Sequence, residues 1–463
     1  MPIDPRPSDS EQRGEVAEAY YREGLQHQDE GRHAEAEASY RRSLALDPRQ
    51  PKAHNNLGCV LQMQGRLDEA VTSFRAALAL APELAQANQN LAAITRDPAA
   101  ADKAIAGYRR LLEADPLDAG LHNNLGNVYR ELGRHREAAA SFAEAVRLAP
   151  DFAEAHFSRG FELLLAGDYA PGFEEFEWRW KVRALGTPAR AFAQPQWDGA
   201  SVGTLLLHAE QGFGDTLHAI RYVPLAASRA RRVLVECQPE LHGLVRRVPG
   251  VAEVVAPGGA LPHFDAHLPL MSLPRAFRTT LASVPWSGPY LEADAASAER
   301  WRPQQDGARL RVGLAWAGQP QQGDDRKRSL SLAALAPLAQ VAGAVFYSLQ
   351  KGDASMQART PPAEMRIVEL GSRFADFSDT AGALSHLDLV VTVDTSVAHL
   401  AGAMGVPTWV MLSTIPDWRY GGQGERTPWY PSMRLFRQRA DGDWAGVAAE
   451  VAQALRTVKR PLR

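Results

Sequence analysis

The chain has 463 residues, 45% hydrophobic and 23% charged. These are ordinary globular values at a length that fits two to four domains. A formal net charge of −3 gives no reason to expect nucleic acid or an acidic membrane surface as a partner. Two distant cysteines, Cys59 and Cys237, exclude a disulfide framework and fit a reducing cytoplasm. The N-terminus lacks a basic segment followed by an apolar run, and no apolar run reaches the ~18 residues of a membrane span.

Prolines 48, 82, 116 and 150 recur at a step of 34 residues. On that period fall Ala36, Ala70, Ala104 and Ala138, then Tyr40, Phe74, Tyr108 and Phe142. This is the tetratricopeptide pattern: the alanine lets two helices approach, the aromatic fills the space between hairpins, and proline ends each second helix. The third repeat is degraded at its turn, 95–98. A fifth, atypical unit covers about 153–180, and its aromatic second half, F-E-E-F-E-W-R-W, suits a cap that packs on the next domain.

Asn56, Asn90 and Asn124 share the same step, each preceded by a carboxamide: Asn55, Gln89 and Asn123. A carboxamide donates and accepts, so such a ladder can hold an extended peptide of any sequence. It can equally serve hydrogen bonding between helices. The ladder resembles that of the protein O-GlcNAc transferases, which implies a protein acceptor held in the groove.

Residues 186–200, with two prolines and no helical period, read as a linker. Short apolar runs then alternate with helical segments: 204–209, 232–237, 251–255 and 266–270, followed after Asp306-Gly307 by 310–316, 345–349, 366–370, 389–393 and 408–412. Two such series predict two Rossmann-like domains with parallel sheets and a cleft between them. The last helix, 444–458, is placed to cross back over the pair.

Ligands in such folds bind at the carboxyl ends of strands, beside helix N-termini. At the first run's end, H-A-E-Q-G-F-G-D offers Gly212 and Gly214 for a tight turn and Asp215 at a helix start, where it either caps the helix or faces the cleft. In the second series, Arg326, Lys327 and Arg328 precede a helix opening near Ser331, and Lys351 follows the next run; cations there suit a diphosphate leaving group. Asp394, Thr395, Ser396 and His399 follow the run 389–393, as helix caps or as a sugar-phosphate site. Asp376 and Asp379 cap a helix on this reading, and Asp441-Gly442-Asp443 is a turn rather than a metal motif. No clustered Cys/His metal site is visible, so no metal and no cofactor is expected.

G-F-G-D-T-L-H-A-I-R-Y-V-P and V-D-T-S-V-A-H-L-A-G-A-M-G-V-P, in that order, resemble motifs of the bacterial heptosyltransferases, over about 200–440. With the repeats, and with H-A-E-Q-G-F-G-D, S-L-Q-K-G, D-W-R (417–419) and T-P-W-Y-P (427–431), the chain is similar to the bacterial tetratricopeptide-repeat glycosyltransferase proteins. The resemblance implies a GT-B fold, Asp215 as general base, Lys327 or Arg328 as a phosphate-binding cation, and Asp394 as a donor-sugar ligand. It also implies that the N–H groups of Thr395 and Ser396, with His399, lie beside the phosphates. The repeat array and the loop 416–424 depart from the heptosyltransferases, so donor and acceptor are not carried over.

The expected organisation is an α-helical tetratricopeptide solenoid (1–185), a linker (186–200), and α/β GT-B-type double Rossmann-like domains at 201–305 and 306–463, the latter with a final crossing helix. The expected activity is inverting, metal-independent transfer from a nucleotide-sugar to an acceptor, a protein held by the repeats, in the cytoplasm. The alternatives are an interaction scaffold with an inactive transferase-like domain and a lipopolysaccharide- or glycan-directed transferase.

Overall fold

The computed structural model describes residues 9–95, 97–185, 190–210, 212–303, 308–319 and 325–458, without the side chains of 9–12, 184 and 326. It divides into two compact units, Met1–Ala155 and His156–Arg463.

The first unit holds four helical hairpins: Asp9–Asp29 with His33–Leu46, Pro51–Met63 with Leu67–Leu80, Ala85–Thr95 with Pro98–Ala114, and Ala119–Glu131 with His135–Leu148. The periodic columns have direct physical causes. A Cβ at Gly24, Gly58 or Gly126 would lie 2.6–2.7 Å from the ring of Tyr40, Phe74 or Phe142, so only glycine admits the aromatic there. Three hairpins turn through a left-handed glycine, Gly31, Gly65 or Gly133. The third has none; its second helix starts instead with Asp97, which caps the Ala99 N–H, and Pro98 in the first turn.

A fifth hairpin, Ala153–Leu165 with Tyr169–Phe176, begins in the first unit, but almost all of it falls in the second. The compact boundary thus lies at Ala155 rather than after 185.

Two parallel sheets form the rest of the second unit. The first has β1 Val202–His208, β2 Ala230–Glu236, β3 Val251–Val255 and β4 Ala266–Pro269, in the order β3-β2-β1-β4. The second has β5 Leu310–Ala315, β6 Ala344–Ser348, β7 Ile367–Glu369, β8 Leu389–Val393, β9 Thr408–Leu412 and β10 Met433–Arg437, in the order β10-β9-β8-β5-β6-β7. Both are α/β arrangements: β6 and β8 of the second sheet are buried along their whole length, and β1 and β2 of the first along their carboxyl halves.

One face of the second sheet shares a core with the first sheet and the fifth hairpin. Its other face is covered by the 3-10 stretch Leu332–Gln340 and the last helix, Trp444–Thr457, through Val447, Ala448, Val451, Ala452 and Leu455. That helix therefore stays on the second sheet instead of crossing to the first, because its apolar stripe is used up there. The linker residues after 189 run along β4: Trp197 N–H donates to the His267 carbonyl and His267 N–H to that of Pro195.

Candidate functional site

Each sheet has one topological switch point, where the chain leaves one side of the first strand and returns on the other. In the first sheet it lies between β1 and β4, and in the second between β5 and β8. The loops leaving β1, β5 and β8 carry the charged site residues singled out from the sequence except Lys351, which follows β6.

After β1, Gly212 caps the helix Phe213–Ala219, and its N–H donates to Asp215 Oδ2 at 3.0 Å. The other oxygen, Oδ1, accepts from Arg419 Nη2 at 2.5 Å. Asp215 is therefore both a helix cap and the partner of a cation from the second sheet. Arg419 also donates through Nη1 to both oxygens of Asp417, at 3.0 and 2.9 Å, and its Nη2 lies 3.7 Å from Met271 Sδ, beyond β4. It is 5% exposed. Its neighbour Tyr420 donates its hydroxyl to Asp394 Oδ1 at 3.1 Å. Consecutive side chains of the short turn Trp418–Tyr420 thus hold the carboxylates from the two sheets.

Burial pushes the Asp394 carboxyl up to about 6, reinforced by the Asp417 charge and opposed by Arg328 and Arg419. Arg328 reaches this spot because its turn, Asp325–Arg328, packs on Gly318, just beyond β5. A Cβ at Gly318 would meet Asp325 Oδ1 and Arg328 Nη2. Lys327 is half-buried in the same turn; the side chain of Arg326 lies outside the described residues. Thr395 is the N-cap of the helix Ser396–Ala403 but makes no side-chain capping bond. Its hydroxyl pairs with that of Thr392 at 3.1 Å. The first-turn N–H groups, Ser396 among them, thus remain beside Asp394 at the strand end.

Two expected anion contacts have other partners. Lys351 Nζ donates to the Phe374 carbonyl at 2.7 Å, tying the end of β6 to the loop before the helix Phe377–Leu384. His399 is buried, its Nδ1 bonds the Tyr430 hydroxyl at 2.9 Å, and it packs on Gly214, where a Cβ would lie 2.8 Å from its ring. Burial, with Arg419, Arg221 and Arg328 nearby, drives its pKa well down. It is a neutral packing histidine, not a phosphate cation, and its 3.9 Å approach to Asp394 is no ion pair. Gly214 serves this close packing of helix on helix.

Asp376 caps Ser378 and Asp379, as expected, while Asp379 is a buried acceptor for Trp301 Nε1, Arg300 and the Ala375 N–H. Asp443 caps the last helix. Among the described residues no group of three or more His, Cys, Asp or Glu side chains is arranged to hold a metal ion.

Sequence reasoning missed four groups. Asp417 and Arg419 sit in D-W-R, legible as a motif but not as a contact, and Tyr420 follows it. Gln350, in S-L-Q-K-G, accepts from the N–H groups of Trp316 and Ala317 and donates to the Ala317 carbonyl, fixing the loop after β5.

In the first unit, the asparagine ladder bonds from repeat to repeat. Asn90 Nδ2 donates to Asn55 Oδ1 at 3.1 Å and Asn56 Nδ2 to the Tyr21 hydroxyl at 3.2 Å. Gln89 accepts from the Tyr108 hydroxyl. Asn56 and Asn90 therefore spend donors on the fold, as the helix-bonding reading of the ladder anticipates. Asn124, partly exposed, makes no such bond among the described residues.

Tetratricopeptide-repeat family profiles match residues 21–85, 108–140 and 126–164. The N-terminal third is a tetratricopeptide array. The chain is 26% identical over 337 residues to Protein FlbA of Caulobacter vibrioides, an alignment covering 66% of this chain and 55% of that protein. The chain thus spans little more than half the length of that relative. Among solved structures, a thermophilic tetratricopeptide protein of Thermus thermophilus is similar at 22% identity, covering 36% of this chain and 90% of its own, with a TM-score of 0.31. YrrB, described as a tetratricopeptide protein with an unusual peptide-binding site, is similar at 19% identity, covering 36% and 85%, with a TM-score of 0.26. No helix among the described residues is long and apolar enough to cross a membrane.

Proposed function

We propose that the chain is an inverting, metal-independent glycosyltransferase of GT-B type, with a tetratricopeptide array as its protein-interaction scaffold. One observation carries the reading: Asp215 and Asp394, leaving strands of different parallel sheets, are held by the adjacent residues Arg419 and Tyr420. A carboxylate on one sheet thereby stands close to a helix N-terminus and two arginines on the other. In the proposed reaction Asp215 takes the proton from an acceptor hydroxyl, whose oxygen attacks the anomeric carbon from the face opposite the leaving group. The carbon–oxygen bond to the nucleoside diphosphate breaks, and the departing oxyanion is met by the first-turn N–H groups at Ser396 and by Arg328. Asp394 receives a sugar hydroxyl.

The array would present a protein acceptor. Asn124 is its best candidate contact, since Asn56 and Asn90 already bond within the fold. Replacing the three by alanine should lower acceptor affinity mainly through position 124; an unchanged affinity would remove the ladder from recognition.

One observation favours a second reading, a scaffold with an inert transferase-like domain: both Asp215 oxygens already have partners. A panel of nucleotide-sugars separates the two. The transferase should show a thermal shift with one donor and release its nucleotide, whereas a scaffold releases none. Asp215→Asn should lower transfer by about 100-fold or more while nucleotide binding persists. Wild-type transfer by that variant would rule out the base assignment. Transfer to a glycan or lipid with no protein captured by the repeats would favour the glycan-directed alternative.

A further inference from the structure

The glutamate of H-A-E-Q-G has no role in the reaction just described, yet it is one of the most enclosed charges in the second unit. The Glu210 side chain is 3% exposed and lies just past β1. Both its oxygens accept from Arg179, Nε to Oε2 and Nη2 to Oε1, each at 3.0 Å. Oε1 also accepts the N–H of Met271, in the loop after β4, at 3.2 Å. Arg179 is 2% exposed and belongs to the turn that ends the fifth hairpin. It donates further to Ser272 Oγ (2.8 Å) and to Glu177 Oε1 (2.7 Å), and Glu177 accepts in turn from Ser272. Both loops of the first switch point are therefore pinned to one guanidinium from the hairpin.

Those same loops determine where Asp215 stands. Gly212, two residues beyond Glu210, is the N–H donor to Asp215 Oδ2, and Met271 lies against the Arg419 that holds Oδ1. We propose that Arg179, supplied by the last hairpin, is a positioning residue for Asp215, acting through Glu210 and the two loops it ties together. A forked, bidentate donor suits this task because it fixes the carboxylate in angle as well as distance. A buried ion pair also stays in place only while both partners are present. The kinetic part of the proposal rests on the transferase reading; the structural part does not.

The test uses the full chain with Arg179→Met, Arg179→Lys and Glu210→Gln. Hydrogen exchange, read by fragment mass spectrometry, should quicken about tenfold or more at Gly212 and Met271. It should be unchanged at Val390, whose N–H bonds the Pro407 carbonyl in the second sheet. With the donor found by the panel, kcat per folded molecule should fall about 10- to 100-fold at constant donor KM, as misplacement by an ångström does. Arg179→Lys should recover part of the loss. Wild-type exchange at Gly212, or equal acceleration at Val390 in Arg179→Lys, would overturn the proposal. So would an undiminished kcat in Arg179→Met when Asp215→Asn is inactive. If the wild-type chain turns over no donor, the transferase reading fails instead, and the exchange data alone decide whether Arg179 anchors the loops.

Discussion

Asp215 and Arg419 are 204 residues apart in sequence and 2.5 Å apart in space. Arg419 shares its guanidinium with Asp417, so one cation serves two carboxylates.

Removing that cation leaves Asp215 with the Gly212 N–H and Asp417 with the backbone N–H of residue 419, and neither with a counter-charge. Arg419→Met should therefore cost about 3 kcal/mol in urea denaturation. Arg419→Lys should recover less than half, since an ammonium cannot fork between Asp215 and Asp417. A loss under about 0.5 kcal/mol, the scale of an exposed pair, would mean the contact is a surface one.

Asp394 makes stability depend on pH. Its folded-state pKa of about 6 lies above the ordinary 3.8. Protonation therefore favours the fold: the contribution is complete below 3.8 and is lost as pH rises through 6. By linkage it amounts to about 3 kcal/mol. Four buried imidazoles, His208, His218, His267 and His399, act in the opposite sense: burial lowers each below 6.5, so their contribution is present above 6.5 and lost in acid. Asp394→Asn isolates the carboxyl. It should stabilise the protein at pH 8, with the gain vanishing towards pH 4. A gain independent of pH would contradict the buried-carboxyl account.

In the repeats, Gly58→Ala drives a methyl to within 2.6 Å of Phe74 Cε1. The expected cost is about 1–3 kcal/mol, the usual penalty of overpacking, read as a fall in the melting temperature of the array. Phe74→Leu should relieve much of it by withdrawing the ring. Additive effects of the two changes would show that the clash is not the cause.

The contrast between these sites explains what the sequence could disclose. The hairpins were legible because each repeat packs on its neighbours at a fixed spacing, so the same steric demand recurs at Gly24, Gly58 and Gly126. Strands were legible as apolar runs; 251–255, 389–393 and 408–412 match β3, β8 and β9. The edge strand β10, M-R-L-F-R, escaped because Arg434 and Arg437 interrupt and end its apolar run, leaving no stretch that reads as a buried strand. Asp215 and Asp394 could be found from strand ends, and GT-B type transfer remains a proposal built on them. The Arg419 and Tyr420 contacts could not be found, since no local rule links position 419 to 215 or 420 to 394. His399 misled for a related reason. A histidine one turn into a helix points either to ligand or to core, and only the approach of Gly214 decides which.

The fifth hairpin has a consequence for how such a chain can change over time. Tyr169 accepts from Trp429 Nε1 at 2.9 Å, and Phe173 stacks edge-on against Trp418. Trp418 opens the turn that carries Arg419 and Tyr420, and Trp429 packs on Trp418. Repeats before Ala155 contact mainly their neighbours, so a 34-residue unit can be inserted or lost within that array. The fifth hairpin has no such freedom. Array length is open to variation, but this last hairpin must be inherited together with the α/β half that it braces.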